Sequence, residues 1–168
     1  MSRYQRSKSR TTDGAGLSLL IPGAPRGPIC VLVVDDEPGV RTLIDRLLSG
    51  AGYVVDMAED GANAWEMVQR RPYSALILDL KMPGNGGEVL YHQLKGVNEL
   101  LARRVIFITG DIVNHVDRQF VTATGNPLIE KPFDLNALQQ QLHSMLSLGS
   151  REAAEPSESP GAKPWSPP

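Results

Sequence analysis

Residues 29–37 read ICVLVVDDE, and this stretch decides the fold. Six apolar residues in succession, from Ile29 to Val34, are typical of a strand that is buried on both faces of a parallel sheet. The run is far shorter than the ~20 residues that a membrane-spanning helix requires. Asp35 and Asp36 follow it directly. We therefore expect a central strand that ends in carboxylates.

Apolar runs rich in β-formers alternate with helix-period segments along residues 29–148, which predicts a parallel sheet covered by helices on both faces. Five such units in about 120 residues favour an open doubly wound sheet, because a closed eight-stranded barrel takes ~250 residues. The expected strands are Cys30–Asp35, Tyr53–Met57, Ala75–Asp79, Val105–Thr109 and Pro127–Ile129.

The first expected helix follows the first strand, with an apolar face and with Gly50 just past its end. Further helices are expected at about 61–70, 87–95, 112–123 and 135–147, the last with Asp134 as its N-cap. The apolar face of the first helix comprises Val40, Leu43, Ile44, Leu47 and Leu48.

The 168-residue chain suits one domain with a tail at each end. Hydrophobic residues make up 41% of it and charged residues 21%, which argues for a folded core. Residues 1–28 carry five basic residues and one acid among Ser, Gly and Pro, and residues 149–168 include five prolines. We predict a domain at 29–148 between a disordered basic N-terminal tail and a disordered Pro-rich C-terminal tail.

The formal net charge of −2 and its distribution exclude some function classes. The acidic excess lies in residues 29–148, so the core lacks the basic stripe that nucleic-acid binding requires. Cys30 is the only cysteine, so no internal disulfide can form. We expect a cytoplasmic protein without nucleic-acid or membrane partners.

Acids stand where two expected strands end. Asp35 and Asp36 follow the first strand and Asp79 closes the third, and in such sheets the ligand site lies beyond the carboxyl ends of the strands. If these strands are neighbours, like charges ~4 Å apart repel by up to ~4 kcal/mol at an effective dielectric near 20. The cluster therefore calls for a cation, and Mg2+ suits a small set of oxygen ligands.

The other two strand ends supply a hydroxyl and an ammonium. Thr109 closes the fourth strand, Gly110 after it leaves space for a phosphoryl group, and Lys131 follows the fifth. This combination suits phosphoryl transfer, which depends on in-line positioning and charge neutralisation. Asp79 would attack phosphorus, while Lys131 and Thr109 would bind the phosphoryl oxygens.

Four segments stand out in chain order: Val33–Pro38, Asp79–Gly84, Phe107–Asp111 and Glu130–Phe133. Together they resemble the receiver domains of two-component systems. The resemblance covers residues 29–148 and implies a flavodoxin-like (βα)5 fold, with a five-stranded parallel sheet of order 2-1-3-4-5, an order that receiver proteins exemplify. It also implies phosphorylation by a histidine kinase at Asp79, Mg2+ dependence, and a metal ligand from the Lys81 backbone carbonyl.

The resemblance also directs attention to positions that govern switching. Family members turn an aromatic side chain inward three residues before the lysine, and this chain has Leu128 there. Side chains two positions beyond the phosphoacceptor and beyond the threonine tune the phosphoryl lifetime in the family. Here these are Lys81 and Asp111, which we expect to pair across the mouth of the site.

Several rival functions remain open at this point. A phosphatase of the haloacid-dehalogenase type also uses a strand-end aspartate with Mg2+. Its nucleophile lies in an Asp-x-Asp motif, whereas this chain has Lys81 in place of the second aspartate. A pseudo-receiver would serve only as a binding module. Residues 14–22 resemble the closing strand of a histidine-kinase ATP-binding domain, so the chain could be the receiver of a hybrid kinase. Our reading is a phosphoacceptor domain without a DNA-binding output domain, which signals to an unknown downstream protein and catalyses only its own phosphorylation and dephosphorylation.

Overall fold

The computed structural model describes residues 27–110 and 115–152. Its strands are β1 Cys30–Val34, β2 Val54–Ala58, β3 Ala75–Asp79, β4 Val105–Thr109 and β5 Leu128–Glu130. Its helices are α1 Pro38–Gly50, α2 Gly61–Arg70, α3 Gly86–Val97, α4 Glu99–Ala102, α5 His115–Thr124 and α6 Leu135–Glu152, and a 3-10 turn at Pro83–Asn85 precedes α3. Within these residues the five strands form one parallel sheet of order β2-β1-β3-β4-β5, which confirms the expected flavodoxin-like doubly wound fold.

The central strands are buried on both faces because each alternates its apolar side chains between two cores. Val31 and Val33 of β1 pack with α1 and α6 on one face, while Leu32 and Val34 pack with α2 and α3 on the other. Residues at i and i+2 of a strand share a face, so the unbroken apolar run fills both cores. This burial fixes the register that brings the strand ends together.

The structure corrects the expected end of the first helix. Gly50 is the last residue of α1 and does not lie past it, and the backbone N–H of Ala51 donates to the carbonyl of Leu48. Gly52 adopts a φ of 91°, in the left-handed region that glycine enters without steric cost. The glycine that reverses the chain is therefore Gly52. Leu43, expected on the inward face, is 46% exposed.

Other element bounds differ from the expected ones by a residue or a few. β1 ends at Val34, so Asp35 lies just beyond the strand, and β2 and β5 each begin and end one residue later than expected. The short helix α4 was not expected, and Asn98 caps it by accepting a hydrogen bond from the Leu101 amide. Helix α6 continues to Glu152, into the segment that composition predicts as a tail. No helix among the described residues has the length and apolar content needed to cross a membrane.

Candidate functional site

The carboxyl ends of β1 and β3 place three acids at one edge of the sheet. β1 and β3 are hydrogen-bonded neighbours, with Val34 in register with Leu78. Carboxylate oxygens of Asp35, Asp36 and Asp79 consequently lie within 4.8 Å of one another. Asp35 and Asp79 are buried and Asp36 is exposed, so the cluster is buried at its base and open to solvent on one side.

Lys131 joins the two buried acids. Its Nζ donates to Asp35 Oδ2 at 2.8 Å, to Asp79 Oδ2 at 2.9 Å and to Glu37 Oε1 at 2.9 Å. Burial alone would lower the pKa of the ammonium, but these hydrogen bonds outweigh burial and raise it above its usual value. The lysine is therefore a fixed positive charge at physiological pH. The sequence reading missed Glu37, although it directly follows the two acids.

Backbone amides orient the two buried carboxylates. The N–H of Glu37 donates to Asp35 Oδ1 and the N–H of Lys81 donates to Asp79 Oδ1, both at 2.8 Å. Each carboxylate thus uses one oxygen for an amide and the other for Lys131. Burial raises the pKa of Asp35 above its usual value, despite the opposing hydrogen bonds from Lys131 and the Glu37 amide.

Thr109 lies at the end of β4, next to the end of β3, where Asp79 is in register with Ile108. The threonine is 1% exposed, and its Oγ1 has no hydrogen-bond partner among the described residues. A buried hydroxyl without a partner is costly, and it commonly marks a place where a ligand supplies the missing bond. A Cβ atom at Gly110 would lie 3.5 Å from the Cδ atom of Lys131, so this position is in contact range of the lysine stem.

Close backbone packing holds the loop after β3 in place. A Cβ atom at Gly87, in the first turn of α3, would lie 2.2 Å from the Asp79 carbonyl oxygen and 2.8 Å from the Leu80 Cα. Only glycine permits this approach of α3 to the end of β3. The helix thereby fixes the backbone that carries Asp79.

The described part of the structure gives the side chain of Lys81 a partner that the sequence did not suggest, and it leaves the expected pairing with Asp111 untested. Asp111 lies outside the described residues, whereas Lys81 Nζ lies 2.6 Å from Oδ2 of Asp117, in the first turn of α5. Sequence spacing gave no signal for this pair, because the two residues lie on different elements that are far apart in the sequence. Lys81 also lines a cleft at this edge of the sheet, together with Asp36, Asp79, Gly110 and Lys131.

The donor set fits a hard divalent cation. Three carboxylates converge, one side of the cluster is open to solvent, and the partly buried ammonium of Lys131 cannot by itself neutralise them all. Mg2+ prefers oxygen ligands and retains several waters, which suits a few carboxylates at an open edge. Asp35, Asp36, Asp79 and the backbone carbonyl of Lys81 are the groups that would hold the ion.

The sheet order and this edge define a class of signalling domain. Residues 31–143 match the family described as the response regulator receiver domain, and the chain belongs to that family. Receiver domains serve phosphorelay signalling, take phosphoryl groups from histidine kinases and bind Mg2+ at an acidic pocket. This confirms the family that the four segments indicated.

Particular relatives share this domain and extend beyond it. Response regulator MprA of Mycobacterium ulcerans (strain Agy99) is 32% identical over 129 residues, covering 77% of this chain and 55% of the relative. Response regulator MprA of Mycobacterium leprae (strain TN) is 34% identical over 116 residues, covering 69% and 50%. The chain thus spans about half the length of these curated relatives.

Solved structures give the same result. Chemotaxis protein CheY4 of Vibrio cholerae superimposes with a TM-score of 0.64 at 25% identity, covering 71% of this chain and 99% of that protein. Response regulator TrrA of Thermotoga maritima, solved in complex with Mg2+ and BeF, has a TM-score of 0.61 at 26% identity and covers 70% and 98%. A sensor protein from Polaromonas sp. JS666 has a TM-score of 0.63 at 26% identity and covers 74% and 99%.

Proposed function

We propose that Asp79 accepts a phosphoryl group from a histidine kinase and that the resulting charge switches contacts with a downstream protein. One observation carries the proposal: Lys131 Nζ bonds both Asp35 and Asp79, beside the buried Thr109 hydroxyl that has no partner among the described residues. Nucleophile, cation and hydroxyl donor meet where a phosphoryl group would bind.

Each side chain has a distinct task in this transfer. A carboxylate oxygen of Asp79 forms a bond to phosphorus while the bond from phosphorus to the donor nitrogen breaks, which leaves an acyl phosphate. Lys131 is held within reach of the incoming oxygens, and Thr109 donates its hydroxyl to one of them. When bound, Mg2+ supplies further neutralisation of charge on the phosphoryl oxygens.

The proposal includes hydrolysis of the acyl phosphate and no turnover of other substrates. Asp36 is exposed at the open side of the cluster, so water reaches the edge of the site. A phosphatase of the haloacid-dehalogenase type would need a second acid two positions after Asp79, where the chain has Lys81. Failure to hydrolyse small phosphate esters is the expected result in a turnover assay.

The test is phosphorylation by acetyl phosphate with and without Mg2+, followed by intact-mass measurement. We expect the wild-type chain to gain the mass of one phosphoryl group only when Mg2+ is present, and Asp79→Asn to gain none. Equal gain by Asp79→Asn would contradict the assignment of the phosphoacceptor. No gain by the wild type would favour the pseudo-receiver alternative.

A second candidate is that the chain is the receiver portion of a hybrid histidine kinase. The likeness to a sensor protein from Polaromonas favours it, since that protein shares the fold at 26% identity. The chemistry at Asp79 is the same in both cases, and only the attached domains differ. The mass of the protein isolated from its own cells separates the two, because a hybrid kinase would be several times larger than 18.3 kDa.

A further inference from the structure

An ion pair at the outer edge of the cleft connects the site to a helix that contributes none of its acids. Lys81 follows Asp79 by two residues, and its Nζ lies 2.6 Å from Oδ2 of Asp117 on α5. The two side chains are 34% and 20% exposed, so solvent screens the pair only in part. The contact ties the loop that follows the phosphoacceptor to the first turn of α5.

Lys81 lies between two adjoining clefts. One has a volume of about 340 Å3 and is lined by Asp79 and Lys131, and the other has a volume of about 330 Å3 and is lined by Asp117 and Phe120. Lys81 lines both of them. Its flexible side chain therefore stands at the boundary between the phosphoacceptor and α5, with anionic groups on either side.

Phosphorylation would change the balance between these two sides. A phosphoryl group carries a charge of about −1.5 to −2 and strong acceptor oxygens, and on Asp79 it replaces the single negative charge of the carboxylate. The charge at this strand end becomes more negative and extends further from the strand, so the new group competes with Asp117 for the same ammonium. An equilibrium of this kind shifts only by the difference in interaction energy between its two states, and here the added charge supplies that difference.

We propose that Asp117 is a positioning residue, which holds the Lys81 ammonium at the edge of α5 until a phosphoryl group on Asp79 draws it away. The transfer of the lysine then releases the first turn of α5. This inference rests on the proposed function, because it requires phosphorylation of Asp79. It deepens that function by naming a contact through which the charge on Asp79 reaches a helix.

Aromatic packing gives α5 a second anchor that is insensitive to charge. Phe120 packs against Tyr91 and Phe107, with ring centroids 5.5 and 5.7 Å apart. The helix thus has a polar contact that phosphorylation can break and an apolar contact that it leaves intact. Such a device works without an aromatic residue at position 128, where the chain has leucine.

The first experiment measures the lifetime of the phosphorylated protein after acetyl phosphate is removed. Asp117→Asn removes one anionic competitor of the phosphoryl group for Lys81, so we expect the half-life to lengthen by about two- to fivefold, as a partly exposed ion pair allows. Asp117→Glu keeps the charge and should stay within about twofold of wild type. Glu66→Gln makes the same charge change in an exposed pair on α2 and should have no effect.

The second experiment separates the ion pair from a simple helix effect. An acid in the first turn of a helix also stabilises the helix dipole, so Asp117→Asn alone could loosen α5 for that reason. Lys81→Met removes the ammonium and leaves the acid in place. We expect the amides of His115–Thr124 to exchange hydrogen faster in unphosphorylated Lys81→Met than in wild type, whereas a helix effect predicts no change.

The outcomes distinguish this inference from the proposed function. Absence of the phosphoryl mass gain in wild type would end both. If the wild type is phosphorylated but the half-life of phosphorylated Asp117→Asn is equal to or shorter than that of wild type, the inference alone would be overturned. The same would follow from α5 exchange in Lys81→Met that equals that of wild type, or from an Asp117→Glu variant that behaves like Asp117→Asn.

Discussion

Replacing Lys131 by methionine removes the ammonium that contacts both buried acids. Its Nζ lies 2.8 Å from Asp35 and 2.9 Å from Asp79, and the side chains of these acids are 0% and 4% exposed. Methionine keeps most of the apolar stem and removes the charge. The change therefore leaves two carboxylates close together, buried and without their shared cation.

The expected cost is about 3 kcal/mol in the free energy of unfolding, at neutral pH and without Mg2+. Losing one partner of a buried ion pair costs ~3–5 kcal/mol. We take the lower end because burial raises the pKa of Asp35, so this acid takes up a proton more readily than an ordinary aspartate does. Saturating Mg2+ should restore part of the loss, since ~100-fold excess over its Kd stabilises by ~2.7 kcal/mol.

Urea unfolding with and without Mg2+ measures this directly. Lys95→Met is the matched control, because Lys95 is an exposed lysine on α3 and its loss should change stability by at most ~0.5 kcal/mol. If Lys131→Met in Mg2+-free buffer unfolds at the same urea concentration as Lys95→Met, the ion pairs of Lys131 with Asp35 and Asp79 do not stabilise the fold as their geometry predicts.

Three further predictions follow from single contacts. Asp36→Asn removes the exposed carboxylate of the cluster, so the Mg2+ affinity measured by calorimetry should fall by about tenfold or more. Its free energy of unfolding without Mg2+, measured in urea, should change by at most ~0.5 kcal/mol. Gly87→Ala should destabilise the fold by about 1–3 kcal/mol, because its Cβ meets the Asp79 carbonyl, whereas Gly39→Ala has open space and should be neutral or stabilising in the same assay. Burial and a hydrogen bond to an aspartate raise the pKa of Tyr73. The phenol therefore loses its proton at a lower pH in the unfolded chain than in the folded one, and the free energy of unfolding falls as the pH rises above about 10. Tyr73→Phe should lose less stability than wild type over this alkaline range when unfolding is measured as a function of pH.

The fold was predictable because its strongest signals are local. Unbroken apolar runs at β1, β3 and β4 can be satisfied only by a sheet buried on both faces. The bounds of β2 and β5 were less certain because these edge strands are partly exposed, which blurs the pattern. The predicted end of α1 was wrong because Gly50 and Gly52 are both plausible helix-terminating glycines, and only the backbone conformation of Gly52 decides between them.

The candidate site was predictable where it depends on strand ends and not where it depends on loops. The positions of Asp35, Asp79 and Lys131 follow from sheet order, since parallel strands present their carboxyl ends at one edge. The roles of these residues remain predictions. The pairing of Lys81 with Asp117 could not be foreseen, because it depends on where α5 begins in space.

The most direct measurement is chemical identification of the phosphorylated residue. The full chain would be treated with acetyl phosphate and Mg2+, reduced with borohydride, which converts an aspartyl phosphate to homoserine, and sequenced as peptides. We predict homoserine at position 79, and its loss when EDTA is present during phosphorylation. Homoserine at another aspartate, or at position 79 with equal yield in EDTA, would contradict a Mg2+-dependent phosphoacceptor at the end of β3.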